Sequence, residues 1–218
     1  EIVCVVDGNV DETWQEAQKV KSAKVKVTGY NQNKGKGYAV RFGMSRSRGD
    51  LISFLDAGRE IRPKGIMMLM DHLNWYNADI IVGSKRHPAS QVDYPLGRHI
   101  LSLGYHFGLR LLFGILVTDT QSGIKIFRRE VIDKILPRLL VKRYAMDIEM
   151  LAVANYLGFN RIYEAPIEIH YQFGDLTHSS TLRAILGMLW DTLAVFYRLR
   201  ILRYYDDENK KNWLKDSR

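Results

Sequence analysis

The sequence is poor in cysteine and contains no long uninterrupted apolar run. Its single cysteine, Cys4, excludes an internal disulfide and fits a reducing compartment. Because Cys4 lies within the apolar run at residues 2–6, we expect it to be a buried core thiol. Two mostly apolar stretches, residues 96–113 and 185–201, are too short or too charged to predict a membrane span. Neither an internal repeat nor a low-complexity linker is present.

A signal peptide is not expected, because Glu1 opens directly into a strand-like run. This abrupt start suggests that sequence is missing upstream.

The composition favours a folded protein with an anionic partner. The chain has 218 residues, of which 46% are hydrophobic and 11% aromatic, enough for the core of one domain with a small appendage. Its formal net charge is +8 and its sequence pI is about 9.5. Nucleic acid, an anionic membrane surface and phosphorylated substrates would all suit this charge, which does not choose among them.

Strand-like and helix-like stretches alternate along the first half of the chain. The predicted strands are residues 2–6, 25–27, 51–55 and 79–83. The predicted helices are residues 11–21, 38–47 and 64–76. This order predicts an α/β fold with a largely parallel sheet covered on both faces. Ligands of such sheets bind beyond the carboxyl ends of the strands, where Asp7, Asp56 and residues 84–86 fall.

The two apolar stretches of the second half mix leucines with aromatic and basic residues. This pattern is typical of helices that lie in a bilayer interface, although packing onto the domain or onto each other would also explain it. We therefore divide the chain into a main domain at residues 1–180, an amphipathic membrane-surface helix at residues 181–205 and a polar, frayed tail at residues 206–218.

Several short motifs follow one another in a distinctive order. An Asp-Gly-Asn strand end at residues 7–9 precedes Asn-Lys-Gly-Lys-Gly at 33–37, then FLDAGREI at 54–61 and Gly-Ser-Lys-Arg at 83–86. Downstream come YPLGRHILS, TDTQSGIKIFRREV, YAMDIEML and EAPIEI. Together these segments, across roughly residues 2–185, resemble the polyprenyl-phosphate type of family 2 glycosyltransferases, which includes the dolichol-phosphate mannosyltransferases.

The resemblance implies a GT-A fold, a Rossmann-like and mostly parallel sheet flanked by helices. It also implies an inverting transfer of a hexose from a nucleotide diphosphate sugar, UDP-glucose or GDP-mannose, to a polyprenyl or dolichyl phosphate. Such an enzyme would act peripherally at the cytoplasmic face of a membrane, in cell-envelope or protein glycosylation. A nucleic-acid partner is not expected, because the sequence contains no recognised module or stacking platform for one.

The resemblance also assigns candidate site residues. Those expected to bind the nucleotide or donor are Asp7, Asn33, Lys36, Asp56, Gln121 and Ser122. Those expected to hold the acceptor phosphate are Lys85, Arg86, Arg98 and His178. Asp119 and Arg98 are the catalytic candidates: Arg98 would hold the attacking phosphate, and Asp119 would orient the acceptor or sugar or act as a base.

A divalent cation, Mg²⁺ or Mn²⁺, is expected at Asp56 and Glu60, since both ions prefer oxygen ligands. Two departures from the family pattern bear on this site. Gly58 stands where relatives carry a second aspartate, so that Arg59 is an alternative cation against the diphosphate. The family's first strand, which carries part of the nucleotide site, is also absent.

Alternatives to lipid-phosphate transfer stay open. A glycan or other hydroxyl acceptor would require Asp119 to act as a base, and a catalytically silent nucleotide-sugar-binding module would fit the two departures. Asp147 and Glu149 could contact sugar hydroxyls, or they could simply be favoured by the dipole at a helix N-terminus.

Overall fold

The structure is a computed structural model of the chain. It describes residues 1–58, 61–90, 104–105, 108–143, 145–168 and 182–216.

The described part of the chain contains six strands, eight α-helical segments and two short 3₁₀ helices, Leu136–Arg138 and Asp207–Asn209. The strands are β1 Ile2–Asp7, β2 Val25–Tyr30, β3 Leu51–Leu55, β4 Ile80–Ser84, β5 Ile124–Arg128 and β6 Ile162–Pro166. The helices are α1 Thr13–Gln18, α2 Lys36–Met44, α3 Gly65–Trp75, α4 (helical at residues 104–105 and 108–113), α5 Arg129–Ile135, α6 Met146–Tyr156, α7 Leu182–Arg200 and α8 Lys210–Asp216.

The strands form two hydrogen-bonded groups. β1 pairs in parallel with β2, and the other four follow the order β3-β5-β4-β6. Strands β4 and β6 are parallel, while β5 runs antiparallel to both β3 and β4. The ends of β1, β3 and β4 present Asp7, Asp56 and Lys85, as the alternation of strands and helices predicted.

Apolar side chains alternate between the two faces of the larger sheet and cover both. One core includes Ile52, Phe54 and Phe127 and extends over α5, α6 and the inner side of α7. The other includes Ile81 and Ile126 and lies under α3. The α/β architecture with helices on both faces is therefore confirmed.

The N-terminal part of the chain is less buried than expected. Helix α1 ends at Gln18 rather than Lys21, and the apolar side chains of Trp14 and Val20 are exposed. Asp11 accepts a hydrogen bond from the Thr13 backbone N–H (2.9 Å), as a residue at a helix start should. Cys4 is only half-buried, so the expectation of a core thiol is wrong.

The C-terminal segment packs onto the domain. Trp213 of α8 is 3% exposed and donates its indole N–H to the Asp206 carbonyl (3.1 Å). The guanidinium of Arg138 lies over the Trp213 ring at 4.2 Å. The expectation of a frayed tail is therefore wrong for residues 206–214. Within the described ranges, α7 and every other helix falls short of the length and apolar character that crossing a membrane requires.

Candidate functional site at the strand ends

Asp7 at the end of β1 organises the glycine-rich turn before α2. Its two carboxylate oxygens accept hydrogen bonds from the backbone N–H groups of Lys34 (2.7 Å) and Gly35 (2.9 Å). The Asn33 side chain donates to the Asp7 carbonyl (3.1 Å). Gly35 has φ +92°, a left-handed conformation that glycine adopts without strain. The turn predicted to bind the donor is thus fixed to the strand end by Asp7.

Lys36, the first residue of α2, connects this turn to the end of β3. Its ammonium contacts the Asp56 carboxylate at 2.7 Å and the Asp147 carboxylate at 3.7 Å. Burial lowers the pKa of Lys36, but the attraction of Asp147 and Asp56 outweighs burial, so the pKa lies above its ordinary value. Lys36 is therefore a fixed positive charge against the carboxylate predicted to bind the metal.

On its buried side, Lys36 contacts a second ion pair, formed by Lys125 and Asp147. Lys125 of β5 is fully buried, and its ammonium contacts the Asp147 carboxylate at 2.5 Å and the Ser122 carbonyl at 2.7 Å. Complete burial lowers the pKa of Lys125 in spite of the attraction of Asp147. Asp147 itself is 2% exposed, so it does not offer sugar hydroxyls an accessible carboxylate.

Asp56 also touches the loop that carries Asp119. The Asp56 backbone N–H donates to the Gly123 carbonyl (2.8 Å). A Cβ atom on Gly123 would lie 2.6 Å from an Asp56 carboxylate oxygen, so only glycine permits this approach. The predicted metal-binding carboxylate and the predicted catalytic loop are therefore in direct contact.

The Asp119 loop is held by two neighbouring strands. The Asp119 carboxylate accepts a hydrogen bond from the backbone N–H of Lys85, just after β4 (2.9 Å). The Glu164 carboxylate on β6 accepts from the backbone N–H groups of Thr118 (2.8 Å) and Asp119 (2.9 Å). Glu164 thus fixes the backbone from which the Asp119 side chain projects.

The remaining predicted site residues have other surroundings. The backbone N–H of Arg86 donates to the Ser84 hydroxyl (3.2 Å), Gln121 contacts the sulfur of Met188 on α7, and Ser122 is fully buried. Their roles in ligand binding stay predictions. Three other predicted site residues lie outside the described residues: Glu60, Arg98 and His178.

Glu149 has a structural role that the sequence did not reveal. It is fully buried and accepts hydrogen bonds from the Val141 N–H (2.8 Å), the Leu140 N–H (3.0 Å) and the Tyr205 hydroxyl (2.7 Å). Burial raises its pKa. Because its oxygens are occupied inside the core, Glu149 does not contact a sugar, which was one of the two alternatives for it.

Sequence reasoning also missed Lys125 and Glu164. Lys125 could have been noticed as a lone lysine inside the apolar strand Ile124–Arg128, since a lysine is almost never fully buried unless it is paired. No local signal identifies the contact of Glu164 with residues 118–119, because the partners are far apart in the chain.

The end of β3 can supply one ligand to a divalent cation. The Asp56 side chain is 42% exposed and carries two oxygens of the kind that Mg²⁺ and Mn²⁺ bind. Among the described residues there is no cluster of three or more carboxylate, histidine or cysteine side chains that could hold a metal. Such a site fits an ion that receives its other ligands from phosphates and water.

Comparison with known proteins identifies the family. The family described as Glycosyl transferase family 2 matches residues 1–136. The chain belongs to this family. Over 167 residues it is 35% identical to the dolichyl-phosphate beta-glucosyltransferase of Homo sapiens, an alignment that covers 72% of this chain and 52% of that protein. The corresponding Saccharomyces cerevisiae protein is 31% identical over 191 residues, with 78% and 57% covered.

A third relative is matched over more of its length. The UDP-N-acetylglucosamine–dolichyl-phosphate N-acetylglucosaminyltransferase of Methanococcus voltae is 28% identical over 220 residues, which cover 93% of this chain and 84% of that protein. In contrast, the chain spans about half the length of the curated beta-glucosyltransferases it matches.

Solved structures confirm the fold. The mannosyl-3-phosphoglycerate synthase of Rubrobacter xylanophilus superimposes with a TM-score of 0.65 at 18% identity, covering 95% of this chain and 65% of that one. The glucosyl-3-phosphoglycerate synthase of Mycobacterium tuberculosis, solved with Mn²⁺, UDP-glucose and phosphoglyceric acid, has a TM-score of 0.61 at 16% identity, with 89% and 66% covered. The protein therefore has the Rossmann-like GT-A fold expected from its sequence.

Proposed function

We propose that the protein is an inverting glycosyltransferase that moves glucose from UDP-glucose to dolichyl phosphate. The observation that carries the proposal is the contact between Asp56 and the Gly123 end of the Asp119 loop. This contact places two predicted binding elements side by side. Asp56 could bind a metal ion that carries the diphosphate of the donor, and the Asp119 loop could bind the acceptor. The names of the beta-glucosyltransferase relatives support glucose and dolichyl phosphate as the substrates.

The donor would lie across the ends of β1 and β3. Lys36 provides an ammonium beside Asp56, where the diphosphate of a nucleotide sugar requires positive charge. A divalent ion bound at Asp56, with Glu60 as a second candidate ligand, would neutralise the departing diphosphate. The Mn²⁺ and UDP-glucose bound by the structural relative support this type of donor.

The transfer needs little proton chemistry. An oxygen of the lipid phosphate attacks the anomeric carbon of glucose, the bond from that carbon to the diphosphate oxygen breaks, and UDP leaves with the electron pair. The configuration at the anomeric carbon inverts. Because a phosphate monoester is already ionised near neutral pH, Asp119 would orient the acceptor or sugar, while Arg98 and Lys85 would hold the attacking phosphate.

The exposed side of α7 would rest on the membrane that contains the acceptor. Leu186, Trp190, Leu193 and Tyr197 recur at helical spacing and are exposed, Trp190 by 72%. Val195 and Leu199, on the opposite side of the helix, are buried against the domain. Arg200 at the helix end adds positive charge beside this apolar stripe.

Membrane binding can be tested by sedimentation with vesicles that contain anionic lipid. Trp190→Ser should reduce the bound fraction severalfold and leave the melting temperature unchanged, because its ring contacts little of the domain. Leu199→Ser is the matched comparison: it lies on the buried side and should lower the melting temperature instead. Equal vesicle binding by the wild type and Trp190→Ser would contradict a membrane role for this face.

The activity is tested by following radiolabelled glucose from UDP-glucose into dolichyl phosphate in detergent. Parallel reactions with UDP-N-acetylglucosamine and GDP-mannose identify the sugar and the base. We expect transfer from UDP-glucose, a large loss in Arg98→Ala and substantial residual activity in Asp119→Asn. The opposite sensitivity, with transfer to a glycan hydroxyl, would show that Asp119 is a general base. Nucleotide binding without turnover on any acceptor would show a silent binding module.

A further inference from the structure

Four charged side chains lie in series from the buried core to the exposed strand end. Lys125 contacts Asp147, Asp147 contacts Lys36, and Lys36 contacts Asp56. Two lysines and two aspartates have a formal net charge of zero. The charges of these four groups therefore balance one another in the absence of a ligand, and each ammonium lies against a carboxylate.

Lys36 occupies Oδ2, one of the two Asp56 carboxylate oxygens at which a metal would bind. Its ammonium is 2.7 Å from Oδ2 of Asp56. A divalent ion bound to that oxygen at about 2.0–2.2 Å would lie against the ammonium, and two cations so close repel each other. Asp147 offers little relief, because Lys125 already neutralises it at 2.5 Å. Metal binding at Oδ2 and the Lys36–Asp56 contact thus exclude each other.

We propose that Lys36 is the resident counter-cation of Asp56 and is displaced when a divalent ion and a diphosphate bind together. Without the diphosphate, the ion adds two positive charges to a balanced site and binds weakly. With the diphosphate present, the phosphate oxygens accept both the ion and the released ammonium. Metal and nucleotide therefore bind cooperatively, and Lys36 is the positioning residue that couples them. The diphosphate part of this inference rests on the proposed function.

Gly58 provides a second way to examine the competition between Lys36 and a divalent ion for Asp56. A Cβ atom there would meet no described atom within 4 Å, and its φ lies outside the left-handed region. An aspartate at this position meets no described atom at its Cβ and would supply a carboxylate that Lys36 does not occupy. Gly58→Asp should therefore tighten the binding of a divalent ion while Lys36 remains in place.

The test measures Mn²⁺ binding by electron paramagnetic resonance, first without nucleotide and then with saturating UDP. Lys36→Met should bind Mn²⁺ at least about fivefold more tightly than wild type without UDP, and its affinity for UDP in the presence of Mn²⁺ should fall by a similar factor. Gly58→Asp should also tighten nucleotide-free Mn²⁺ binding. Lys24→Met, which removes an exposed lysine just before β2, should match wild type in both measurements.

The two opposite changes in one variant distinguish this role from a purely structural one, which would weaken both affinities. Lys36→Arg, which keeps the charge, should retain weak Mn²⁺ binding without UDP. Unchanged or weaker Mn²⁺ binding by Lys36→Met, including none up to millimolar concentrations, would overturn the proposal. Failure of the wild type to bind UDP with Mn²⁺ would contradict the proposed function instead, and the nucleotide-free comparison would still decide the role of Lys36.

Discussion

Asp7 and Asp56 both end a strand, yet they are held by different kinds of partner. The carboxylate of Asp7 accepts hydrogen bonds from two backbone N–H groups, whereas that of Asp56 pairs with the ammonium of a lysine side chain. Backbone donors cannot leave without unfolding the turn, but an ammonium on a flexible stem can exchange for another cation. Asp7 thus fixes the turn, and its contact with the nucleotide stays a prediction, whereas Asp56 can exchange its partner for a ligand.

The largest expected effect comes from breaking the buried pair behind Asp56. Lys125→Met leaves Asp147 buried without its closest partner, so the free energy of unfolding should fall by about 3–5 kcal/mol. Chemical denaturation measures it. The double variant with Asp147→Leu should recover most of the loss, because it removes both buried charges. A loss in the double variant as large as in the single one would show that packing, and not charge, causes the effect.

Asp7→Ala should be the next most damaging change. It removes the acceptor of the Lys34 and Gly35 N–H groups, and we expect a loss of about 1–2 kcal/mol in the free energy of unfolding. Amide hydrogen exchange should accelerate selectively in residues 33–35. If exchange there stays slow in a variant that is otherwise folded, then Asp7 does not organise the turn.

Glu164 supports Asp119 as Asp7 supports the glycine-rich turn. Glu164→Ala should cost about 1 kcal/mol of stability, because the Thr118 and Asp119 N–H groups lose their acceptor. It should lower kcat for transfer and change the KM for the nucleotide sugar little. Glu164→Gln keeps a carbonyl oxygen and should restore most of kcat; an equally low kcat in both variants would contradict the positioning role.

Asp56→Asn should have the smallest effect on stability. Its ion pair with Lys36 is partly exposed, and the loss should be less than about 1 kcal/mol in the free energy of unfolding. Thermal melts compared with those of Asp7→Ala measure the difference directly. If the free energy of unfolding falls as much in Asp56→Asn as in Asp7→Ala, then the two carboxylates do not differ in their contribution to stability.

The sequence predicted the strands and helices well because their periodicity depends on residues that are close together in the chain. The bounds of β3 were predicted as observed, and the predicted aspartates do lie at strand ends. The partners of those aspartates could not be predicted, since Lys36–Asp56 and Glu164–Asp119 contacts join segments distant in the chain. Helix α2 begins at Lys36 rather than Tyr38, and this shift puts the Lys36 side chain beside Asp56.

Misjudged burial explains the wrong expectations. Contact with sugar hydroxyls was one of two alternatives for Asp147 and Glu149, and it is wrong because α6 is buried from Met146 to Ala154. The C-terminal tail was expected to be frayed because its composition is polar. Trp213 holds it to the domain by stacking with Arg138, a contact that composition alone does not indicate.

The most direct test of the central claim is calorimetric titration of UDP-glucose in the presence of Mn²⁺, using the wild type and Asp56→Asn. The account predicts saturable binding to the wild type, and binding at least about tenfold weaker to Asp56→Asn at nearly unchanged stability. Equal affinity in the two proteins, or no binding to the folded wild type, would contradict the claim that the end of β3 holds the diphosphate of the donor.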